Sequence, residues 1–316
     1  MRRFEPGTQV KIVKNEFSAL VGRVVTVCAQ QDSPDRVRVS HAGKWQGYFA
    51  PDELAELDPP EAAEADEADD FEVLREFLAL PQRAEPVLEK FAALPGAVKK
   101  TGGELEGFVY VPATRKNAVL LVAHADTVAD DSGGVELDEN EETIRNKRGI
   151  LGADDRAGCA MLRQLRDTGH GLLVTDGEEY GSFGVAFLAT KFPELYDEIN
   201  RRHRFMIQID RRGSCDFKCY NVGTKEFRAY IKSMTHFVEP DRSRSTDIAY
   251  LCRDICGVNL SCGYYNEHTP DEYLVKAEWR HTLQLLRSWL STENLPQFRR
   301  TPAWHADALQ SRTSAW

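Results

Sequence analysis

The chain has 316 residues, 42% of them hydrophobic and 28% charged, with a formal net charge of −10. That balance suits a chain that buries a core and excludes global disorder, and the length accommodates one sizeable α/β domain plus a small accessory module. The acidic excess argues against nucleic acid or an anionic membrane as partner of the whole molecule, and no run approaches the roughly eighteen apolar residues of a membrane helix.

Residues 1–57 read as short strands broken by turn residues: GTQVKIV, GRVVTVCAQ, RVRVSHAG and WQGYFAPDEL, with valines at alternate positions. The segment resembles SH3-like barrels, which makes a small N-terminal β-barrel the expectation. Lys11, Lys14, Arg23, Arg36, Arg38 and Lys44 give it a positive excess, which reads as a solvated face or a docking site for a protein or nucleic acid. Residues 58–70 follow as an acidic linker, since paired prolines and seven carboxylates leave almost nothing to bury.

From Phe71 the spacing turns helical, with Pro81 and Pro86 separating two short helices. Beyond them LEGFVYVP, NAVLLVAH, GLLVTDG, RFMIQID and GVNLSCGYY are strand candidates, several of them continuous apolar runs of the kind buried on both faces of a parallel sheet. Helices fit at 156–167, 184–199, 245–256 and 271–291. The alternation predicts a three-layer α/β/α domain over 71–291, with ligands beyond the carboxyl ends of the strands. Residues 292–316 form a C-terminal tail with Trp304 and Trp316 and no clear period.

The strand ends are where acids and imidazoles collect. His124 and Asp126 follow AVLLVA, Asp154 and Asp155 follow GILGA, Glu178 and Glu179 follow GLLVTDG, Asp210 ends RFMIQID, and His268 stands in YYNEHTPDE. A single Asp after a strand is usually a helix cap; five such coincidences with two histidines point to metal chemistry.

The motifs HADT, GADDRAG, DGEE, QID and EHTPDE, in that order, resemble those of the dizinc exopeptidases, a group of zinc aminopeptidases and related carboxypeptidases and deacylases. The resemblance spans residues 71 to about 291 and implies a zinc-peptidase domain of the phosphorylase/hydrolase-like type. It also implies that Asp154 bridges two Zn2+ ions, with His124 and Asp210 completing one site and Glu179 and His268 the other. Three ligands and an open position suit catalytic zinc, and Co2+ or Mn2+ would suit the same N/O donors. Two cations roughly 3.5 to 4 Å apart share a water that loses its proton near neutral pH and becomes the nucleophile.

Adjacent side chains in an extended segment point apart, so Glu178 does not ligate alongside Glu179; the resemblance makes Glu178 the general base. Asp126, two residues after His124, projects to the same side and orients the imidazole. For Asp155, a cap on the helix that follows and a catalytic role stay open, and the resemblance implies a cis peptide bond after Asp154. Tyr180, Tyr264 and Tyr265 flank the ligand motifs and read as packing ahead of oxyanion stabilisation. Arg211 and Arg212 either bind a substrate carboxylate or neutralise the acids.

Fifty-seven residues separate Asp210 from His268, too few for the lid domain that many relatives insert, and 29 separate His124 from Asp154, which leaves no insertion of the kind found in cage-forming aminopeptidases. Cys215, Cys219, Cys252 and Cys256 read as buried apolar side chains rather than a second metal site, and His236 as a structural residue. Seven cysteines without an apolar leader predict a reducing, cytoplasmic setting. The favoured activity is hydrolysis of a peptide's terminal amide bond by an aminopeptidase. A carboxypeptidase or N-acyl amino-acid deacylase on the same site, and a non-enzymatic factor acting through the barrel, are the alternatives. Oligomeric state is not encoded in any motif.

Overall fold

The computed structural model describes residues 9–12, 24–27, 37–41, 45–50, 53–56, 67–129, 134–241 and 245–300. In the N-terminal part, β1 (Gln9–Ile12), β2 (Val24–Val27), β3 (Val37–His41), β4 (Trp45–Phe49) and β5 (Leu54–Glu56) pair antiparallel in the order β4-β3-β2-β1-β5. Val10, Val27, Val37, Val39, Phe49 and Leu54 form a hydrophobic cluster of their own. Val37 and Val39 share a face because strand side chains alternate. Lys14, Arg23, Arg36 and Lys44 of this segment lie outside the described residues, as do residues 57–66 of the acidic stretch and residues 301–316 with both tail tryptophans.

The remaining elements, in chain order, begin with α1 (Glu67–Leu78) and α2 (Ala84–Ala92). Helix α1 therefore starts inside the stretch read as linker. Pro81 lies between the two helices and Pro86 in the first turn of α2, where amides have no intrahelical acceptor and a missing N–H costs nothing. Then come β6 (Val98–Thr101), β7 (Gly107–Val111), β8 (Leu120–His124), β9 (Leu137–Glu139), β10 (Thr143–Asn146), α3 (Ala153–Leu165) and β11 (Gly171–Thr175). They are followed by α4 (Phe183–Lys191), α5 (Pro193–Arg202), β12 (Met206–Arg211), β13 (Phe217–Lys218), α6 (Lys225–Thr235) and α7 (Ile248–Leu251). The described elements end with β14 (Gly257–Ser261), β15 (Tyr264–Tyr265), β16 (Tyr273–Val275) and α8 (Lys276–Leu290).

Seven strands make the central sheet in the order β13-β14-β12-β8-β11-β7-β6. The four central strands are parallel; β13 and β7 run against them on either side, and the edge strand β6 pairs antiparallel with β7. All five residues of β8 are buried. Leu121 and Ala123 face a core built with α1, α2, α3, α6 and α8, whereas Leu120 and Val122 face a second core built with α4, α5 and α7. Both faces being covered explains why β8, β11 and β12 read as unbroken apolar runs, and it makes the domain a three-layer α/β/α sandwich. A second, antiparallel sheet, β15-β16-β10-β9, stands beside it.

Several expected elements differ. The run 184–199 is two helices, because Pro193 cannot continue α4 and instead opens α5 at its first turn. Within 245–256 only Ile248–Leu251 is helical; Cys252 caps that turn and Cys256 lies beyond it, so the four-residue spacing does not put the two on one helix face. The run 271–291 begins as strand β16 before α8. Past α8, Leu295 is buried and Phe298 packs on Phe205, Phe227 and Tyr230, so the start of the tail belongs to the core. No helix among the described residues is long and apolar enough to cross a membrane.

Candidate active site

Strands β12, β8 and β11 are neighbours in parallel register, with Met206 and Gly171 both opposite Leu120 and Thr175 opposite His124. Their carboxyl ends therefore finish side by side. His124 closes β8, Asp210 lies near the end of β12, and Glu178 and Glu179 follow β11 after Gly177, whose φ of +70° is readily reached only without a Cβ. Asp154 comes from the start of α3, where it and Asp155 have non-helical backbone angles and are joined by a cis peptide bond. His268 stands on the loop between β15 and β16, whose ends are pinned by the pairs Tyr264–Leu274 and Tyr265–Tyr273.

These side chains meet. Asp154 Oδ1 lies 3.1 Å from His124 Nε2, and its Oδ2 lies 3.1 Å from His268 Nε2. Asp210 Oδ1 is 3.5 Å from His124 Nε2, and Glu179 Oε1 is 2.7 Å from His268 Nε2. Among the described residues, two groups have donor atoms close enough together to hold an ion: His124 with Asp154 and Glu179, and His124 with Asp155 and Asp210. The second brings in Asp155, but that carboxylate is already engaged. Its Oδ1 accepts from Gly158 N at 3.0 Å and its Oδ2 from His124 N at 3.2 Å, so it caps α3 and ties the helix to β8.

Gly158 is required by this arrangement. A Cβ there would sit 2.1 Å from Ile209 O and 2.4 Å from Asp155 Oδ1, so α3 can approach β12 only with glycine at that turn. Asp126 does more than expected: Oδ1 accepts from Glu178 N and Oδ2 from Glu179 N, both at 3.1 Å. It thereby sets the two acids of β11 against the histidine of β8. His124 Nδ1 is 3.1 Å from the Asp126 backbone carbonyl and 3.3 Å from its Oδ1, so main chain and side chain share the orienting role.

The electrostatics are those of buried acids around two imidazoles. Burial opposes charge on His124, yet Asp210, Asp126 and Asp154 outweigh it and push the imidazole well above its ordinary pKa. Hydrogen bonds to Asp154 and Glu179 raise His268 to about 10. Burial raises Glu178 to about 9 and Asp210 to about 7. Burial also opposes charge on Asp154, but the two histidines hold it well below the usual carboxylate range. Oxygen and nitrogen donors that need positive charge among them, all meeting on one carboxylate, fit a pair of divalent cations.

Sequence reading missed three buried residues. Glu272 accepts from Gly152 N at 2.7 Å and from Asp154 N at 3.1 Å, tying the His268 loop to the backbone of Asp154. Gln208 and Thr246 both bond Asp210 Oδ2 at 2.8 Å. Gln208 had a signal, a polar residue inside an apolar strand; Glu272 had a weaker one, a second acid in EHTPDE; Thr246 had none. Tyr264 donates to Asp210 Oδ1 at 3.3 Å, Tyr265 bonds Glu278, and Tyr180 is exposed. His236 is the exposed C-cap of α6 and does not line the cleft. Arg211 and Arg212 do line it, the first 3.7 Å from Asp216 and the second 2.9 Å from Glu267. The four cysteines set aside above are buried, and none joins a candidate metal group among the described residues.

The cleft over these strand ends has a volume of about 730 Å³ and is walled by Asp154, Glu178, Glu179, Asp210, Tyr264 and His268, among others. No protein-family model and no curated protein matches the sequence. Solved structures do. An aminopeptidase PepT from Bacillus cereus ATCC 10987 aligns over 72% of this chain and 98% of its own at a TM-score of 0.52 and 13% identity. A tripeptidase from Staphylococcus aureus subsp. aureus Mu50 aligns over 72% and 98% at 0.52 and 12%. A glutaminyl cyclase from an Acidobacteriales bacterium aligns over 76% and 99% at 0.51 and 12%. The chain shares the α/β fold of these proteins, two peptidases and a cyclase.

Proposed function

We propose that the protein is a metal-dependent hydrolase that cleaves the amide bond at the terminus of a peptide, in the manner of an aminopeptidase. In this reading His124, Asp154, Glu179, Asp210 and His268 hold two Zn2+ ions and Glu178 is the general base. The observation that carries it is the division of labour on Asp154: one oxygen faces His124 and the other faces His268, each 3.1 Å away. Asp210 stands on the first side and Glu179 on the second. These five donors, with Asp154 between the two groups, would hold two cations and supply each with oxygen and nitrogen ligands.

The cations would supply Lewis acidity and acidify a shared water. Asp126 holds the backbone of Glu178 and Glu179 through its two oxygens, which keeps the base and the ligand on separate sides of the same turn. Burial raises the Glu178 pKa, and two dications held by the neighbouring donors would act in the opposite direction and favour the carboxylate, the form that accepts a proton. Having taken the proton, Glu178 delivers it to the leaving amine.

The test is a screen of the zinc-loaded protein against aminoacyl amides, dipeptides and N-acyl amino acids, which separates aminopeptidase from carboxypeptidase and deacylase. Chelation should abolish turnover and zinc should restore it. Glu178→Gln should bind zinc normally and lose about 10²- to 10⁴-fold in rate. A zinc-loaded protein inert toward all three libraries, or a Glu178→Gln variant at the wild-type rate, would refute the proposal.

A further inference from the structure

We propose that Gln208 and Thr246 are positioning residues that lock the Asp210 carboxylate so that only its Oδ1 is offered to a cation, and that they thereby set the affinity of one of the two cation sites. The inference rests on the two-cation reading above.

Gln208 precedes Asp210 by two residues on β12, in a stretch where the register with β14 shifts, and its side-chain amide reaches the Asp210 carboxylate directly. It is fully buried, and every polar atom of its amide is used. Oε1 accepts from Ile248 N at 2.8 Å, which fixes the flip of the amide because a backbone N–H can only donate. Nε2 then gives one hydrogen to Asp210 Oδ2 at 2.8 Å and the other to Thr246 Oγ1 at 2.9 Å. The Thr246 hydroxyl accepts from Gln208, so its own proton is free to go to Asp210 Oδ2, also at 2.8 Å. The three side chains close a triangle.

Two close donors sit on Asp210 Oδ2, with Asn259 Nδ2 a longer third at 3.5 Å. Oδ1 is left facing His124 Nε2 at 3.5 Å, with the Tyr264 hydroxyl at 3.3 Å. The triangle therefore selects single-oxygen ligation and removes the rotation that would present either oxygen or both. The main chain of Asp210 is held separately, since its N–H donates to Asn259 Oδ1 at 3.0 Å and its carbonyl accepts from Asn259 Nδ2 at 2.8 Å. Loss of the triangle frees the carboxylate while leaving the strand in place. Thr246 also lies within hydrogen-bond reach of Glu178, and its single proton serves one acceptor at a time. Gln208 makes no such contact, so the two residues can be told apart.

The experiment is a zinc titration of the full-length, metal-stripped protein in competition with a chromophoric chelator, for wild type, Thr246→Val, Thr246→Ser and Gln208→Met, with circular dichroism confirming the fold of each. Wild type should take up two zinc equivalents. In Thr246→Val and Gln208→Met one equivalent should weaken about 10- to 100-fold while the other is unchanged, and Thr246→Ser should behave as wild type. Wild-type affinity at both sites in a folded Thr246→Val or Gln208→Met overturns the proposal. So does equal weakening at both sites, or a Thr246→Ser as impaired as Thr246→Val. A wild type that binds fewer than two equivalents overturns the two-cation reading itself.

Discussion

Replacing Asp126 with asparagine is the most incisive perturbation of the site, because it preserves shape and removes one acceptor from a side chain that needs two. In the wild type each oxygen of Asp126 receives one backbone N–H, from Glu178 and from Glu179, at 3.1 Å. Asparagine keeps one of these bonds and turns an amide donor toward the other N–H. The residue is buried, with 4% of its surface exposed, so water does not repair the loss. Loss of a hydrogen bond to a charged group costs about 1.5–3 kcal/mol. In the metal-free protein that cost is offset by relief of repulsion among the neighbouring acids, so the melting temperature of the chelated variant is a poor readout. The zinc-linked stabilisation is the better one. Disturbing a partner of this kind weakens metal binding about 10- to 100-fold, and at saturating zinc each tenfold removes about 1.4 kcal/mol of stabilisation. Urea unfolding at fixed zinc and in excess chelator should therefore show a zinc-dependent gain smaller than wild type by about 1–3 kcal/mol. An equal gain in variant and wild type would show that Asp126 does not hold Glu179 in place for a cation.

Two further outcomes follow from groups away from the ligands. His170 accepts from Val119 N through Nδ1 at 3.1 Å and faces Leu290 O through Nε2 at 3.1 Å, and burial lowers its pKa to about 4. The unfolded chain takes up a proton near pH 6.5 that the folded chain refuses, so stability should fall as pH drops from 6.5 towards 4, by up to about 3 kcal/mol from this residue. His170→Gln should flatten that part of the stability profile measured by urea unfolding, and an unchanged slope would count against the neutral buried imidazole. Gly158→Ala forces a methyl group against Ile209 O and Asp155, and should lower the denaturation midpoint by an amount worth about 1–3 kcal/mol or more; a midpoint equal to wild type would mean that α3 and β12 do not approach as described.

What the sequence made legible was whatever a single segment encodes. His124, Asp154, Glu178, Glu179, Asp210 and His268 each end or follow an apolar run, and the parallel register of β12, β8 and β11 turns that local fact into proximity. The reversed direction of β7 was not readable, because a strand buried on both faces looks the same in either direction. Nor was the break between α4 and α5 read, although Pro193 announces it. The hydrogen bonds around the ligands were hardest of all. Thr246 reaches Asp210 from 36 positions away and Glu272 reaches Asp154 from 118, so neither pairing leaves a trace in spacing. Gln208 and Asn259, polar residues inside buried strands, betray that groups elsewhere in the fold must satisfy them.

The register that brings these residues together belongs to the fold, which the chain shares with proteins only 11–13% identical to it. Adjacent strands lie about 4.8 Å apart, so three neighbouring parallel strands that end together present three consecutive positions on one rim. The middle one carries His124, one flank carries Asp210, and the other leads into Glu178 and Glu179. Apolar residues elsewhere in these strands can exchange freely, provided volume is kept. Gly158 is constrained by the close approach of α3 to β12, the helix that brings Asp154 over the rim. A fold of this kind occurs in both peptidases and a glutaminyl cyclase, so the fold by itself does not name the reaction. The groups to vary when asking what this chain acts on are those that fix the orientation of the rim acids: Asp126 beneath Glu178 and Glu179, Gln208 and Thr246 behind Asp210, and Glu272 behind Asp154.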